Sequence, residues 1–286
     1  MYRAAVSFRA VPSFQVGGVV GTIRRFASTG AIFKESKANK VGLSHALDGT
    51  MRSGAHDLRT FGTGTLRALA TRRALLAFFE GHRVFYSEME HCLEEAKGPS
   101  GLVWKRFKHI LQRTDSLEED IKMLEGLIGC ETGLKVVPSP AAAAYATRLR
   151  EASQLEASGT PLLLGHFYTR YLADLFGGSM LGWPTKLALS LPEVPRFYVH
   201  DEIRDRRRET VEAIYEALNE AELTPAQTKA VVDEATLAFR LNAALYREGV
   251  GGGGIGMFAG AALGGLRVAV GHANHRISGG TRSVFG

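Results

Sequence analysis

The stretch HFYTRYLADLFGGSMLG, residues 166–182, decides how this chain is read. At helical spacing His166, Arg170 and Asp174 fall at i, i+4 and i+8, and Gly177 and Gly178 come next on the same side. Phe167, Tyr171, Leu172 and Leu175 fall elsewhere and can pack. A helix that buries its apolar residues therefore turns an arginine, a carboxylate and bare backbone toward something else. Glycine inside a helix costs about 1 kcal/mol relative to alanine, so two in succession need a reason. Close approach of backbone to a flat ligand is one, and a helix that stops at Gly177 with Gly178 as its cap is the other.

Outward from this stretch the pattern stays helical. From Leu43 to Tyr246 apolar residues recur at intervals of three and four, as in TRRALLAFFEGHRVFYSEMEHCLEEA (71–96) and TVEAIYEALNEAEL (210–223), and strand signals are scarce. Breaks are expected at Gly98-Pro99, at Pro138 and Pro140, from Gly159 to Pro161, and from Pro192 to Pro195. Thr224-Pro225 has the form of a cap followed by a first-turn proline. The fold class expected is all-α, with one helical domain over 40–248.

The two ends differ from this body. Residues 1–39 begin with Arg3, Arg9, Arg24 and Arg25 and reach no acidic residue before Glu35. That is the composition of a mitochondrial transit peptide, with Arg24-Arg25-Phe26-Ala27-Ser28 as the expected processing region near Phe26; a basic arm is the alternative. Residues 249–286 form a glycine-rich tail. From Gly249 to Leu266 it carries no charge, and Gly252, Gly256, Gly260 and Gly264 repeat every fourth position, which suits either close helix packing in a membrane through 249–270 or a flexible linker. The net charge of +6 comes largely from these ends, so it does not argue for nucleic acid. Two cysteines, Cys92 and Cys130, exclude a disulfide framework and lack metal-ligand spacing. No glycine motif for a bound nucleotide is present.

The central stretch resembles the distal helix of heme oxygenases, whose pattern is H-x-Y-T-R-Y-L-G-D-L-S-G-G. The likeness extends to HILQRTDSLEED (109–120), AAYATRLREA (143–152) and LTPAQTKAVVDEATLAFRLNAALY (223–246). It implies an oxidoreductase that cleaves heme to biliverdin, ferrous iron and carbon monoxide, with electrons from a separate reductase or ferredoxin. It also implies catalytic roles for Asp174, which would order water and pass protons, and for Arg170, Tyr86 and Asn242 around it. Gly177, Gly178, Phe239 and Tyr168 would line the heme. His56, at the end of LSHALDGTMRSGAH (43–56), would be the iron ligand, two residues late against the family pattern; His45 and His82 are the other candidates. Gln112 stands where many members have histidine.

Other departures matter. Ala173 and Phe176 replace smaller or more polar residues of the pattern, and Val211 and Tyr215 stand where mammalian-like members place cations for the propionates. Arg204, Arg206, Arg207 and Arg208 lie nearby as substitutes or as a solvated run. These changes leave a second reading open: a non-catalytic protein of the same fold serving as a binding, scaffold or mitochondrial membrane-complex subunit.

Overall fold

In a computed structural model of the protein the described residues are 36–52, 58–129, 139–203, 205–248 and 255–277, and every regular element among them is helical. The central element is α3 (Arg72–Glu95), which follows α1 (Gly42–Arg52) and α2 (Leu58–Ala68). The Thr71 hydroxyl starts it by accepting from the Ala74 N–H at 3.0 Å. Leu75, Phe79, His82, Tyr86, Met89 and Leu93 alternate at steps of four and three, and all six are fully buried. Steps of four and three keep residues on one stripe of a helix, so this seam is the inner face of α3. Its only polar members are His82 and Tyr86.

Around α3 pack α4 (Pro99–Leu111), α5 (Thr114–Ile128) and α6 (Pro140–Ala157). The breaks read from proline and glycine are where these helices meet. Pro99 opens α4 after Gly98. Pro140 opens α6 with Ser139 as its cap, the Ala142 N–H donating to its hydroxyl at 2.9 Å. Gly159, at φ +103°, turns the chain after α6. Near the other end α10 (Arg207–Asn219) precedes α11 (Pro225–Glu248). Thr224 and Gln227 form a reciprocal cap for α11: the Thr224 N–H donates to Gln227 Oε1 at 2.9 Å and the Gln227 N–H to Thr224 Oγ1 at 3.3 Å. Cys92 is free and buried, and burial, with Glu88 beside it, pushes its thiol up to about 11, the mark of an unreactive core residue. Cys130 lies outside the described residues.

The segment from 163 to 189 is not one helix. It runs as α7 (Leu163–Phe167), a π turn over Tyr168–Leu172, α8 (Ala173–Phe176), a 3₁₀ turn over Gly178–Leu181 and α9 (Gly182–Leu189). The glycine pair ends the α-helix: Gly177 caps α8 at φ −134°. The π turn falls where α7 crosses α11, close enough that a Cβ on Gly165 would lie 2.8 Å from the Val231 carbonyl. The Thr169 hydroxyl donates to the Gly165 carbonyl at 2.8 Å, a back-bond that helps a helix depart from α geometry.

At the amino end, residues 36–39 are tied to the helical body, because the Lys37 and Ala38 N–H groups both donate to Glu212 Oε1 at 2.7 Å. The rest of the segment expected to be a transit peptide, residues 1–35, lies outside the described residues. The tail forms α12 (Ile255–Ile277), which lies against α2 and α9. Gly260, Gly264 and Gly271 face that contact, whereas Gly265 meets nothing. A Cβ on Gly264 would sit 1.7 Å from the Leu66 carbonyl, and one on Gly271 would sit 2.7 Å from that of Leu187. Trp183 and His275 meet edge to face across the same interface at 5.5 Å. The expected membrane segment or linker at 249–270 is thus, from Ile255 on, a helix docked on its own chain. Among the described residues no helix is long and apolar enough to cross a membrane.

Candidate active site

Four helical segments bring the polar residues together. Arg170, from the π turn, is 4% exposed and directs its guanidinium inward. Its Nη2 and Nε donate to the Tyr86 hydroxyl at 2.9 and 3.2 Å, and its Nη1 donates to Asn242 Oδ1 at 2.9 Å. The Tyr86 hydroxyl in turn donates to Asp174 Oδ2. Arg170 Nη2 lies 3.6 Å from Asp174 Oδ1, and the guanidinium carbon lies 5.1 Å from the centre of the Phe85 ring and 5.2 Å from that of Tyr86. Arg170 and Asp174, read from helical spacing, and Tyr86 and Asn242, implied by the resemblance, form one buried network.

His166 departs from that face. The wider π turn lies between it and Arg170, and it points to α6 and α11 instead. Its Nε2 donates to Glu234 Oε1 at 2.8 Å, which leaves Nδ1 to accept from the Tyr145 hydroxyl at 3.3 Å. Tyr145 also accepts from the Asn242 amide. A polarised chain results, running from Arg170 through Asn242, Tyr145 and His166 to Glu234, and Arg148 closes it at the surface with bonds of 2.9 and 2.6 Å to the two Glu234 oxygens. Neither Tyr145 nor Glu234 stood out in the sequence as a site residue. A second carboxylate, Glu90, accepts from the backbone N–H groups of Arg113 at 2.6 Å and Thr114 at 3.3 Å, and from the Tyr171 hydroxyl at 3.4 Å.

The electrostatics follow from burial. Asp174 is enclosed, and desolvation outweighs Arg170 and the Tyr86 bond, so its carboxyl is pushed above the usual range. Burial likewise drives the Tyr86 hydroxyl well up, which keeps it a proton donor. Glu234 goes the other way: burial raises it, but the His166 bond and Arg148 together prevail and bring it down to about 2.

The remaining expectations divide. Gly178 lies beside the acid, where a Cβ would be 3.4 Å from Asp174 Oδ1. Phe239 is buried on α11. Tyr168 is also buried, and its hydroxyl meets Met51 Sδ on α1 at 3.5 Å. His56 lies outside the described residues. His45 is exposed on α1. Gln112 does not enter the network: it is exposed in the break between α4 and α5 and donates to Asp115 at 3.1 Å. Val211 and Tyr215 are fully inside the core, so this face of α10 offers no cation for a carboxylate. Arg206 and Arg208 are exposed, as in a solvated run, and Arg204 lies outside the described residues.

Comparison with known proteins assigns a class to this all-helical body and its buried Arg-Tyr-Asp-Asn network, that of helical heme-degrading oxidoreductases. The heme oxygenase family model matches residues 56–248. The heme oxygenase of Rhodella violacea is 32% identical over 67% of this chain and 77% of its own length. Among solved structures, heme oxygenase-2 from Synechocystis in complex with heme and NO aligns with a TM-score of 0.60 at 28% identity, over 73% of this chain and 85% of that one. The heme oxygenase of Leptospira interrogans aligns with a TM-score of 0.60 at 26% identity, over 72% and 98%. The chain belongs to the heme oxygenase family.

Proposed function

We propose that the chain cleaves heme to biliverdin, ferrous iron and carbon monoxide, with electrons supplied by a separate reductase or ferredoxin. The observation that carries this reading is the Arg170–Tyr86–Asp174 network, complete and buried beside Gly178. The residues present fit a flat iron-bearing ring in that bare backbone at Gly178 lies beside a buried acid, with a Cβ there 3.4 Å from Asp174 Oδ1. His56 would hold the iron, and Gly177, Gly178, Phe239 and Tyr168 would line the ring. Bound heme would supply the iron that activates oxygen and the ring edge that is oxidised.

The chain's own part is proton handling. Asp174 Oδ2 is occupied by the Tyr86 hydroxyl, so the neutral acid carries its proton on Oδ1, the oxygen on the side of Gly178. Burial favours that neutral form, and Arg170 stabilises the anion left when the proton departs. Tyr86, Arg170 and Asn242 hold the carboxyl in place. Asp174→Ala should retain hemin binding and lose about 10²-fold or more in single-turnover bilin formation, with Asp174→Asn milder. Wild-type protein that binds hemin yet forms no bilin with any electron donor would reject the catalytic reading.

That outcome would favour the non-catalytic alternative, which one observation supports: Val211 and Tyr215 are sealed in the core where relatives of the mammalian type hold the propionates. We also propose import into the mitochondrion through residues 1–39. Fusion of that segment to a fluorescent protein tests it, and a diffuse signal would reject it.

A further inference from the structure

The last turn of α11 carries a tyrosine that the network described above leaves out. Tyr246 follows Asn242 by four residues, so both side chains leave α11 on the same side. The Tyr246 hydroxyl is hydrogen-bonded to the Arg170 guanidinium. A guanidinium only donates, so the phenol oxygen accepts. The ring is held edge to face against Phe61 at 4.9 Å, Phe78 at 5.3 Å and His82 at 5.7 Å. Its backbone is held as well. Arg67 on α2 is 4% exposed and donates from Nη2 to the Tyr246 carbonyl and from Nη1 to that of Arg247 at 3.1 Å. Carbonyls of a last helical turn lack partners within their own helix and gather the negative end of its dipole, so an arginine suits them.

Tyr246 thus has a fixed position, and it shares Arg170 with Asp174. Of the five guanidinium N–H groups, Nε and Nη2 give one each to Tyr86 and Nη1 gives one to Asn242, which leaves two. Tyr246 takes one of these. Asp174 does not hold the other, since Nη2 lies 3.6 Å from Oδ1, beyond hydrogen-bond reach. The other cation acting on Asp174 is Arg113, whose Nε, Nη1 and Nη2 are committed to the carbonyls of Leu111, Val199 and Ile110. Tyr86, Tyr145, Tyr171 and Tyr198 around the acid are phenols raised by burial and so uncharged, and burial keeps His82 neutral. The approach of Arg170 is therefore what sets the charge state of the acid.

We infer that Tyr246 is a positioning residue of the site: with Asn242 it ties Arg170 to α11 and holds the guanidinium off Asp174, so that the carboxyl keeps its proton. The inference deepens the proton-handling reading above and rests on it for the effect on turnover.

The test uses full-length, heme-free protein with isotope-labelled aspartate carboxyls, titrated by nuclear magnetic resonance; the signal lost in Asp174→Asn is that of Asp174. Tyr246→Phe keeps the ring and removes the hydroxyl. The freed N–H closes on Oδ1, and the Asp174 carboxyl should titrate about one pH unit or more below its wild-type position, the scale of an opposite charge brought into contact. In an Arg170→Gln background the same substitution should leave the titration where it was, because the hydroxyl acts through Arg170. With one equivalent of hemin, Tyr246→Phe should bind as wild type does, and single-turnover bilin formation should decline at a correspondingly lower pH. An Asp174 titration that is the same in wild type and Tyr246→Phe overturns the assignment, and so does a shift that survives in the Arg170→Gln background. Failure of wild type to form bilin would sink the catalytic reading, while the heme-free titration still decides the role of Tyr246.

Discussion

Neutralising Glu234 tests whether the polarised chain behind the site is an electrostatic structure or ordinary packing. Glu234 is 5% exposed, receives His166 on one oxygen and is gripped by Arg148 on both. Its carboxyl moves from an ordinary 4.5 to about 2. That difference corresponds to about 3 kcal/mol of stability at neutral pH. Arg148 is 24% exposed, and water screens part of its attraction, so about 2–3 kcal/mol is the expected loss in Glu234→Gln. For a domain of this size that lowers the melting temperature by roughly 5–10 °C. The pH dependence has a definite sign. A depressed carboxyl contributes fully above its unfolded value and loses that contribution as the pH falls toward 2, so the gap between wild type and Glu234→Gln should narrow by about 1 kcal/mol between pH 6 and pH 3.5. Urea unfolding at several pH values, followed by circular dichroism, measures both effects. A gap under about 1 kcal/mol at pH 7, or one that does not change on acidification, refutes the reasoning.

Three further outcomes are expected. His200 is buried, and burial, with Arg113 and Arg207 nearby, lowers it from 6.5 to about 3; the unfolded chain therefore takes up a proton first, and stability falls as the pH drops through that window. His200→Gln should recover about 2–3 kcal/mol at pH 4.5 relative to wild type while changing little at pH 7, and parallel acid titrations of the two proteins would expose an error. Gly264→Leu places a side chain where the Leu66 carbonyl already stands, so α12 should come away from α2 and lose its hydrogen-exchange protection; unchanged protection counts against the docked arrangement. His56→Ala should abolish the histidine-ligated spectrum of the hemin complex, and an unchanged spectrum would reject His56 as the ligand.

The helices were legible because their causes are local. The four-and-three stripe of α3, the Ser139-Pro140 and Thr224-Pro225-x-Gln227 starts, and the glycine stop after α6 are each contained within a few residues. Arg170, Asp174, Tyr86 and Asn242 were reached through family likeness as well as spacing, and the structure joins them. What escaped depends on partners distant in sequence. The π turn accompanies the close crossing of Gly165 on α11, and it turns His166 toward Glu234, 68 residues later. Gln112, noted only for its match to a family histidine, sits in the break between Leu111 and Thr114, where its side chain reaches Asp115 and not the network. His82, named with His45 as another candidate ligand, lies fully buried in the α3 seam with its Nδ1 2.8 Å from the Phe78 carbonyl oxygen. The glycine repeat of the tail permits close packing in lipid or on protein with equal ease, and only the partner decides.

That tail separates two boundaries often treated as one. The family match ends at residue 248, but the folded molecule does not, because α12 beyond that point packs on α2 and α9. A chain trimmed to the homologous region would keep every residue of the Arg170 network and yet present to solvent two helix faces that the intact molecule never shows. Its solubility and tendency to self-associate would then report on a wound left by the cut. Inherited architecture and cooperative unit are therefore different lengths of the same chain, and for purification and crystallisation the second is the relevant one.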